Sequence, residues 1–193
     1  DDLLSPIELD SFIEKQALMT DYLNDEEVKW MLAVQKGDQI AFRKIVEKYQ
    51  NSLLNFFYYM NANRQESEDL VQETFLKVYS YREKYSPTAK LSTFLFRVAR
   101  NTGIDYIRKK KAIPMSFEGD LLESPDSNSH SASENDWQGA LEKALHRLPE
   151  KLRTVVVMSY FEDLKQQEIA DILEVPLGTV KSRMSFAMKQ LKD

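Results

Sequence analysis

Residues 165–192 read KQQEIADILEVPLGTVKSRMSFAMKQLK, and the spacing of their apolar and basic residues decides the fold class. Ile169, Ala170 and Leu173 recur at helical spacing and predict a first helix with one buried stripe, the small Ala170 allowing close approach of a second helix. Val175-Pro176-Leu177-Gly178 predicts the turn. Steps of about 100° along the second helix put Val180, Met184, Ala187 and Leu191 on one side. Thr179, Ser182, Arg183, Phe186, Lys189 and Gln190 fall on the other, flanked by Lys181, Ser185 and Lys192. No acid lies between Pro176 and Lys192. An ordinary solvated helix would mix acids into that face. Hydroxyl, guanidinium, amide and ammonium groups on one stripe suit the major groove of a DNA duplex. The pattern is a helix-turn-helix, with Glu174 at a turn position where Gly is usual.

Working outward, nearly every segment reads as helix. From Glu26 to Met60 the residues Val28, Leu32, Phe42, Ile45, Val46, Tyr49, Leu53, Phe56 and Phe57 recur at spacings of three and four, interrupted at Gly37-Asp38. Asn61-Ala62-Asn63 marks a turn, Ser67 is expected to cap the next helix to about Tyr81, and Ser92 or Thr93 to cap a long helix through Lys111. Ile113 to Asn135 has two Pro, no base and five Ser between Ser124 and Ser133, the composition of a linker. The expected fold is all-α: two small helical domains, 28–112 and 136–193, joined by an acidic flexible linker at 113–135, the C-terminal domain being the helix-turn-helix. An acidic extension occupies 1–27. Met19-Thr20-Asp21 reads as a natural start, and residues 1–18 as an upstream extension or a short amphipathic helix.

Composition narrows the function. Of 193 residues none is Cys and two are His, His130 and His146. Thiolate chemistry, disulfides, a cysteine zinc site and a histidine metal cage are excluded, and no metal or cofactor is expected. No apolar run approaches the roughly 20 residues that span a bilayer, so membrane insertion is not expected and the chain is placed in the cytoplasm. The net charge of −5 hides a strong division. Residues 1–27 carry nine acids and one Lys, while residues 28–111 carry sixteen bases and eight acids. Residues 112–140 hold six acids and no base, and residues 141–193 nine bases and eight acids. A phosphate feels the local field within a Debye length of about 8–10 Å, not the average.

Two helices of the first domain carry further information. One places Asp69, Gln72, Glu73 and Leu76 together, with Val71, Phe75 and Val78 opposite. Acid, amide, acid and leucine suit docking on a protein partner better than mere solvation. The helix from Phe94 to Lys111 puts Leu95, Ala99, Thr102 and Tyr106 toward the core. Arg97, Asn101, Asp105 and Arg108 lie opposite, with Phe94 and Val98 beside them. Asp105 can pair with Arg108 or Asn101 at helical spacing. Cations interleaved with an amide and an aromatic match single-strand binding, whereas Lys109-Lys110-Lys111 alone could simply complement the helix dipole.

In this order the pieces resemble the bacterial sigma-70 superfamily, specifically the extracytoplasmic-function (ECF) sigma factors. Asp69-Leu70-Val71-Gln72-Glu73-Thr74-Phe75 is similar to the family's core-polymerase-binding segment. Phe94 to Asn101 with Asp105 and Arg108 is similar to its −10 region. Leu148-Pro149-Glu150 and Gly178 to Arg183 are similar to its −35 domain. The resemblance spans about 30–192. It implies that Asp69, Leu70, Gln72, Glu73, Phe75 and Leu76 bind core RNA polymerase. It implies that Ser86, Thr88, Lys90, Phe94, Arg97, Arg100, Asn101, Arg108 and Lys109 capture the single-stranded −10 element with a base out of the stack. Thr179, Lys181, Ser182, Arg183, Ser185, Phe186 and Lys189 would read the double-stranded −35 element. An anti-sigma factor is the implied regulatory partner. Phe94 stands where the family often has Trp, and Phe186 where Arg is common, so a cation is missing from the duplex stripe.

A conventional helix-turn-helix regulator would share the last two helices but would need a ligand pocket or dimer surface that the sequence does not offer. An enzyme reading rests only on Asp69 and Glu73 sharing a face, with no Gly-rich phosphate loop, so neither enzymatic activity nor a small-molecule substrate is expected. Within the resemblance, the acidic linker is expected to lie in a channel built for RNA, and the N-terminal extension to add an intramolecular contact.

Overall fold

The structure is a computed structural model in which residues 22–60, 63–112 and 136–192 are described. The linker 113–135, residues 1–21 with Met19, and the Asn61-Ala62 part of the turn lie outside the described residues. Helices follow in order: α1 (Glu26–Gln35), α2 (Gln39–Tyr59), α3 (Arg64–Ser80), α4 (Leu91–Ala112), α5 (Asp136–Arg147), α6 (Glu150–Tyr160), α7 (Gln166–Leu173) and α8 (Leu177–Lys192), with a 3₁₀ turn at Arg82–Lys84. Among the described residues there is no strand.

The helix starts follow from side chains that satisfy free backbone donors. Asp25 Oδ1 accepts from the Glu27 and Val28 amides at 2.8 and 3.2 Å. Asp38 Oδ1 accepts from the Ile40 and Ala41 amides at 2.8 and 3.1 Å. Between these helices Gly37 takes φ 96°, a left-handed conformation that ends α1 without steric cost. The interruption read at Gly37-Asp38 is therefore real.

Four sequence expectations shift. The helical fold begins before residue 28, inside the expected extension: Asp25 caps α1, and Glu27 accepts from both Lys48 and Tyr49 of α2. Ser67 is not the cap of α3. Asn63 is, in a reciprocal capping box with Glu66, and Ser67 lies buried one turn in, donating to the Asn63 carbonyl at 2.8 Å. Helix α4 starts at Leu91, before both Ser92 and Thr93, and Thr93 is buried. Leu177 and Gly178 already belong to α8, so the turn of the helix-turn-helix is Glu174 to Pro176. Glu174 takes φ 55° and ψ 45°, which explains why a glycine suits that position.

Helix α2 buries Ala41, Ile45, Tyr49, Leu53, Phe56 and Phe57, and α1, α3 and α4 pack on it. Phe96 of α4 meets Phe56 edge-on with centroids 5.7 Å apart. Burial of each such ring contributes about 1.5–3 kcal/mol. In the second half α6 is buried continuously from Arg153 to Met158 because α7, α8 and the first-half helix α2 surround it. The halves touch: α4 packs on α7, and α2 packs on α5 and α6. Tyr59 and Phe161 have ring centroids 4.3 Å apart across that seam.

Candidate nucleic-acid interface

Three faces carry the residues singled out in the sequence. On α3, Asp69, Gln72 and Leu76 are exposed and Glu73 is partly exposed, with 68% of the Leu76 surface in solvent. A single exposed leucine is ordinary on a protein surface; what marks this face is the leucine's place beside Asp69, Gln72 and Glu73. Leu70 and Phe75 do not join them. Both are buried, Phe75 edge-on to Phe42 at 6.3 Å, because their positions on the helix turn toward α2. They support the face and cannot form it.

Lys77, which pattern reading passed over, joins this face to the next helix. Its Nζ lies 3.0 Å from Glu73 Oε1 and 3.3 Å from Asp105 Oδ2. Burial works against the ammonium charge, but the bonds to Glu73 and Asp105 prevail and hold its pKa above 10.5. Asp105 is thus oriented by α3, not by Arg108 or Asn101 as helical spacing suggested. One turn on, Lys110 donates to Glu66 Oε1 at 3.0 Å. Burial favours the neutral Glu66 carboxyl, yet hydrogen bonds from Tyr106 and Lys110 outweigh it and lower its pKa below 4.5.

The second face lies on α4 and the loop before it. Ser86, Thr88, Asn101, Arg108 and Lys109 are exposed, and Arg100 is partly so, with Nη1 3.4 Å from Asn101 Oδ1. Phe94 is half-buried against Tyr85, centroids 5.1 Å apart. Burial, aided by Asp25, pushes the Tyr85 hydroxyl up to about 12, so it stays neutral under this ring. Two cations point elsewhere than expected. Lys90 Nζ is 2.9 Å from Glu168 Oε1, and Arg97 Nη2 donates to the Asp171 carbonyl at 2.9 Å. Both partners lie on α7, more than seventy residues along the chain, where no local spacing could have announced them.

The third face is α8. Val180, Met184 and Ala187 are buried, while Lys181, Ser182, Ser185, Phe186, Lys189 and Gln190 are exposed and Thr179 and Arg183 partly so. The 100° construction therefore assigns the two sides of this helix as the structure has them. Ser182 donates to the Gly178 carbonyl at 2.8 Å, leaving its hydroxyl oxygen as an acceptor. Phe186 exposes 62% of its surface among these polar groups. Among the described residues no cluster of His, Asp and Glu could hold a metal ion, and no helix is long and apolar enough to cross a membrane.

Comparison with known proteins follows this division. The Sigma-70 region 2 model matches residues 45–113, and the Sigma-70, region 4 model matches residues 138–191. The ECF RNA polymerase sigma factor SigW of Bacillus subtilis is 35% identical over 175 residues, which covers 83% of this chain and 94% of that protein. The RNA polymerase sigma-H factor of Pseudomonas aeruginosa is 30% identical over 82% of this chain and 88% of its own length. Among solved structures, CnrH in complex with the cytosolic domain of CnrY aligns with a TM-score of 0.67 at 18% identity, over 87% of this chain and 96% of that one. The sigma factor RpoE in complex with the anti-sigma factor NepR, from Bartonella quintana, aligns equally well at 24% identity, over 78% of this chain and 94% of that one. At such identities the structural likeness speaks to the fold, while the curated relatives and the two matched regions settle the family: the chain belongs to the sigma-70 family, among its ECF RNA polymerase sigma factors.

Proposed function

We propose that the three faces divide the work of a promoter-specific initiation factor among α3, α4 and α8. The observation that carries this reading is the outward face of α3, where Asp69, Gln72, Glu73 and Leu76 stand together beside the Lys77 bridge. In this reading they dock on core RNA polymerase, the carboxylates meeting cations and Leu76 entering an apolar contact. Ser86, Thr88, Phe94, Arg100, Asn101, Arg108 and Lys109 hold the separated −10 strand, where cations meet phosphates and the Phe94 ring meets an unstacked base. Lys90 and Arg97 join them once released from α7. The α8 stripe from Thr179 to Lys189 reads the −35 duplex, with Phe186 offering an apolar surface to a thymine methyl. The chain works in the cytoplasm without enzymatic activity of its own, and an anti-sigma factor is its regulator. The similarly folded sigma factor RpoE, solved in complex with the anti-sigma factor NepR, supports that last point.

The test is binding of fluorescently labelled protein to bacterial core RNA polymerase, wild type against an Asp69→Ala, Gln72→Ala, Glu73→Ala triple variant. Saturable binding that the triple change weakens at least tenfold, with helicity intact by circular dichroism, is the expected result. No binding by the wild type would leave a conventional helix-turn-helix regulator as the better account.

A further inference from the structure

Two cations of the α4 face assigned to the −10 strand are engaged in this structure. The Lys90 ammonium is paired with Glu168, whose side chain keeps only 15% of its surface exposed, and the Arg97 guanidinium is docked on the Asp171 carbonyl. Arg97 Nε is buried with no hydrogen-bond partner among the described residues. Drawn toward α7, these two cations have part of their charge and their donors committed there and not to a DNA strand. A second set of contacts closes the seam from the other side: Tyr59 packs on Phe161, and Thr154 Oγ1 lies 3.5 Å from Met60 Sδ. Beside Phe161, just past the end of α6 and against α2, sits Glu162. Glu162 is partly exposed as a residue, but its Oε1 is buried without a hydrogen-bond partner among the described residues, and the Ser52 hydroxyl of α2 steadies its charge.

We propose that this seam is an autoinhibitory lock, in which α7 ties up two cations of the strand-capturing face of α4 and Glu162 sets how tightly the two halves close. The cation-engagement half of the proposal rests on the strand-binding reading above; the closing mechanism does not.

The physics is the cost of burying a carboxylate. Burial, opposed by the Ser52 hydroxyl, pushes Glu162 up to about 8, from 4.5 when it is free in water. The closed form therefore holds one more proton than the open form between those values. Closure is tightest below pH 4.5, loosens up to about tenfold per pH unit as pH rises to about 8, and changes no further above it. The other titratable groups near the seam do not follow this course. Tyr59 and Tyr58 of α2 are both held above 10 by burial and by Glu142 of α5. His146 of α5 is held below 6.5 by burial and by Arg153. Lys90 stays above 10.5 through its bond to Glu168. Between pH 6.5 and 8 the seam thus answers to Glu162. The α8 stripe stays exposed in the closed form, so duplex reading is not what the lock controls.

Two measurements on the full chain test this. Small-angle X-ray scattering at pH 6.5 and 8 should show the wild type expanding at the higher pH, while Glu162→Gln, isosteric and always neutral, stays compact at both. Anisotropy with a fluorescein-labelled single-stranded oligodeoxynucleotide should show wild-type affinity rising about tenfold over the same interval and the Gln variant binding weakly throughout. Glu168→Gln, which keeps the capping amide acceptor of α7 while removing the ion pair, should open the chain already at pH 6.5. Scattering that is unchanged in the wild type, or that changes equally in Glu162→Gln, overturns the lock. Scattering that responds as expected while no form binds the strand upholds the lock and overturns the strand-capture reading instead.

Discussion

Asp105 accepts from Lys77 across 3.3 Å, tying α3, which bears the proposed polymerase-docking residues, to α4, which bears the proposed −10 residues. Glu73 holds the same ammonium from its own helix at 3.0 Å. The Lys77 side chain is 30% exposed, so screening limits what each bond contributes. A double-mutant cycle of Lys77→Met and Asp105→Asn should give a coupling of about 0.5–1 kcal/mol in urea unfolding. A coupling near zero would mean that the bridge orients Asp105 without stabilising the fold.

Glu174 ends α7 at φ 55°, where a Cβ meets the neighbouring backbone. Glu174→Gly should remove that strain at some cost in unfolded-state entropy, for a net gain of about 0.5–1 kcal/mol read as a higher Tm. A lower Tm would show that the exposed Glu174 side chain contributes more than its backbone costs.

Phe186 stands exposed in a stripe of hydroxyls and cations. Phe186→Arg should tighten binding to duplex DNA and steepen the slope of log K against log salt by about 0.9, the signature of one added phosphate contact. An unchanged slope with weaker binding would instead identify Phe186 as a base-reading apolar group.

His146 accepts at Nδ1 from Arg153 Nη1, 3.1 Å away, an arrangement that a protonated imidazole could not keep. Burial first, and then the guanidinium, hold its pKa below 6.5. The folded chain therefore binds fewer protons at this site than the unfolded chain. Its contribution is fully present above pH 6.5 and is lost as pH falls below it, only modestly because the ring is partly exposed and screened by water. His146→Gln, which can still accept from Arg153, should flatten that part of the stability profile measured by urea unfolding between pH 5 and 7.

The sequence by itself determined what depends on neighbours three or four residues apart. The α8 stripe, the outward set on α3 and the break at Gly37-Asp38 all follow from helical geometry acting on side-chain chemistry, which needs no knowledge of the rest of the chain. The caps were less legible. Asn63 and Ser67 are both chemically able to cap α3, and the choice fell to Asn63 because Ser67 is needed in the buried face, where only a small side chain that bonds back to its own helix fits. Tertiary structure alone decided the rest. Asp105 lies within helical reach of Asn101 and Arg108 yet turns to Lys77, 28 residues away in sequence, because α3 packs alongside α4. Lys90 and Arg97 read as free cations in sequence and are held by α7 in the fold. Glu162 carries no motif at all. Its chemistry arises only when two helical units close over it, because the cost of a buried charge belongs to the surroundings that assemble around it and not to the residue.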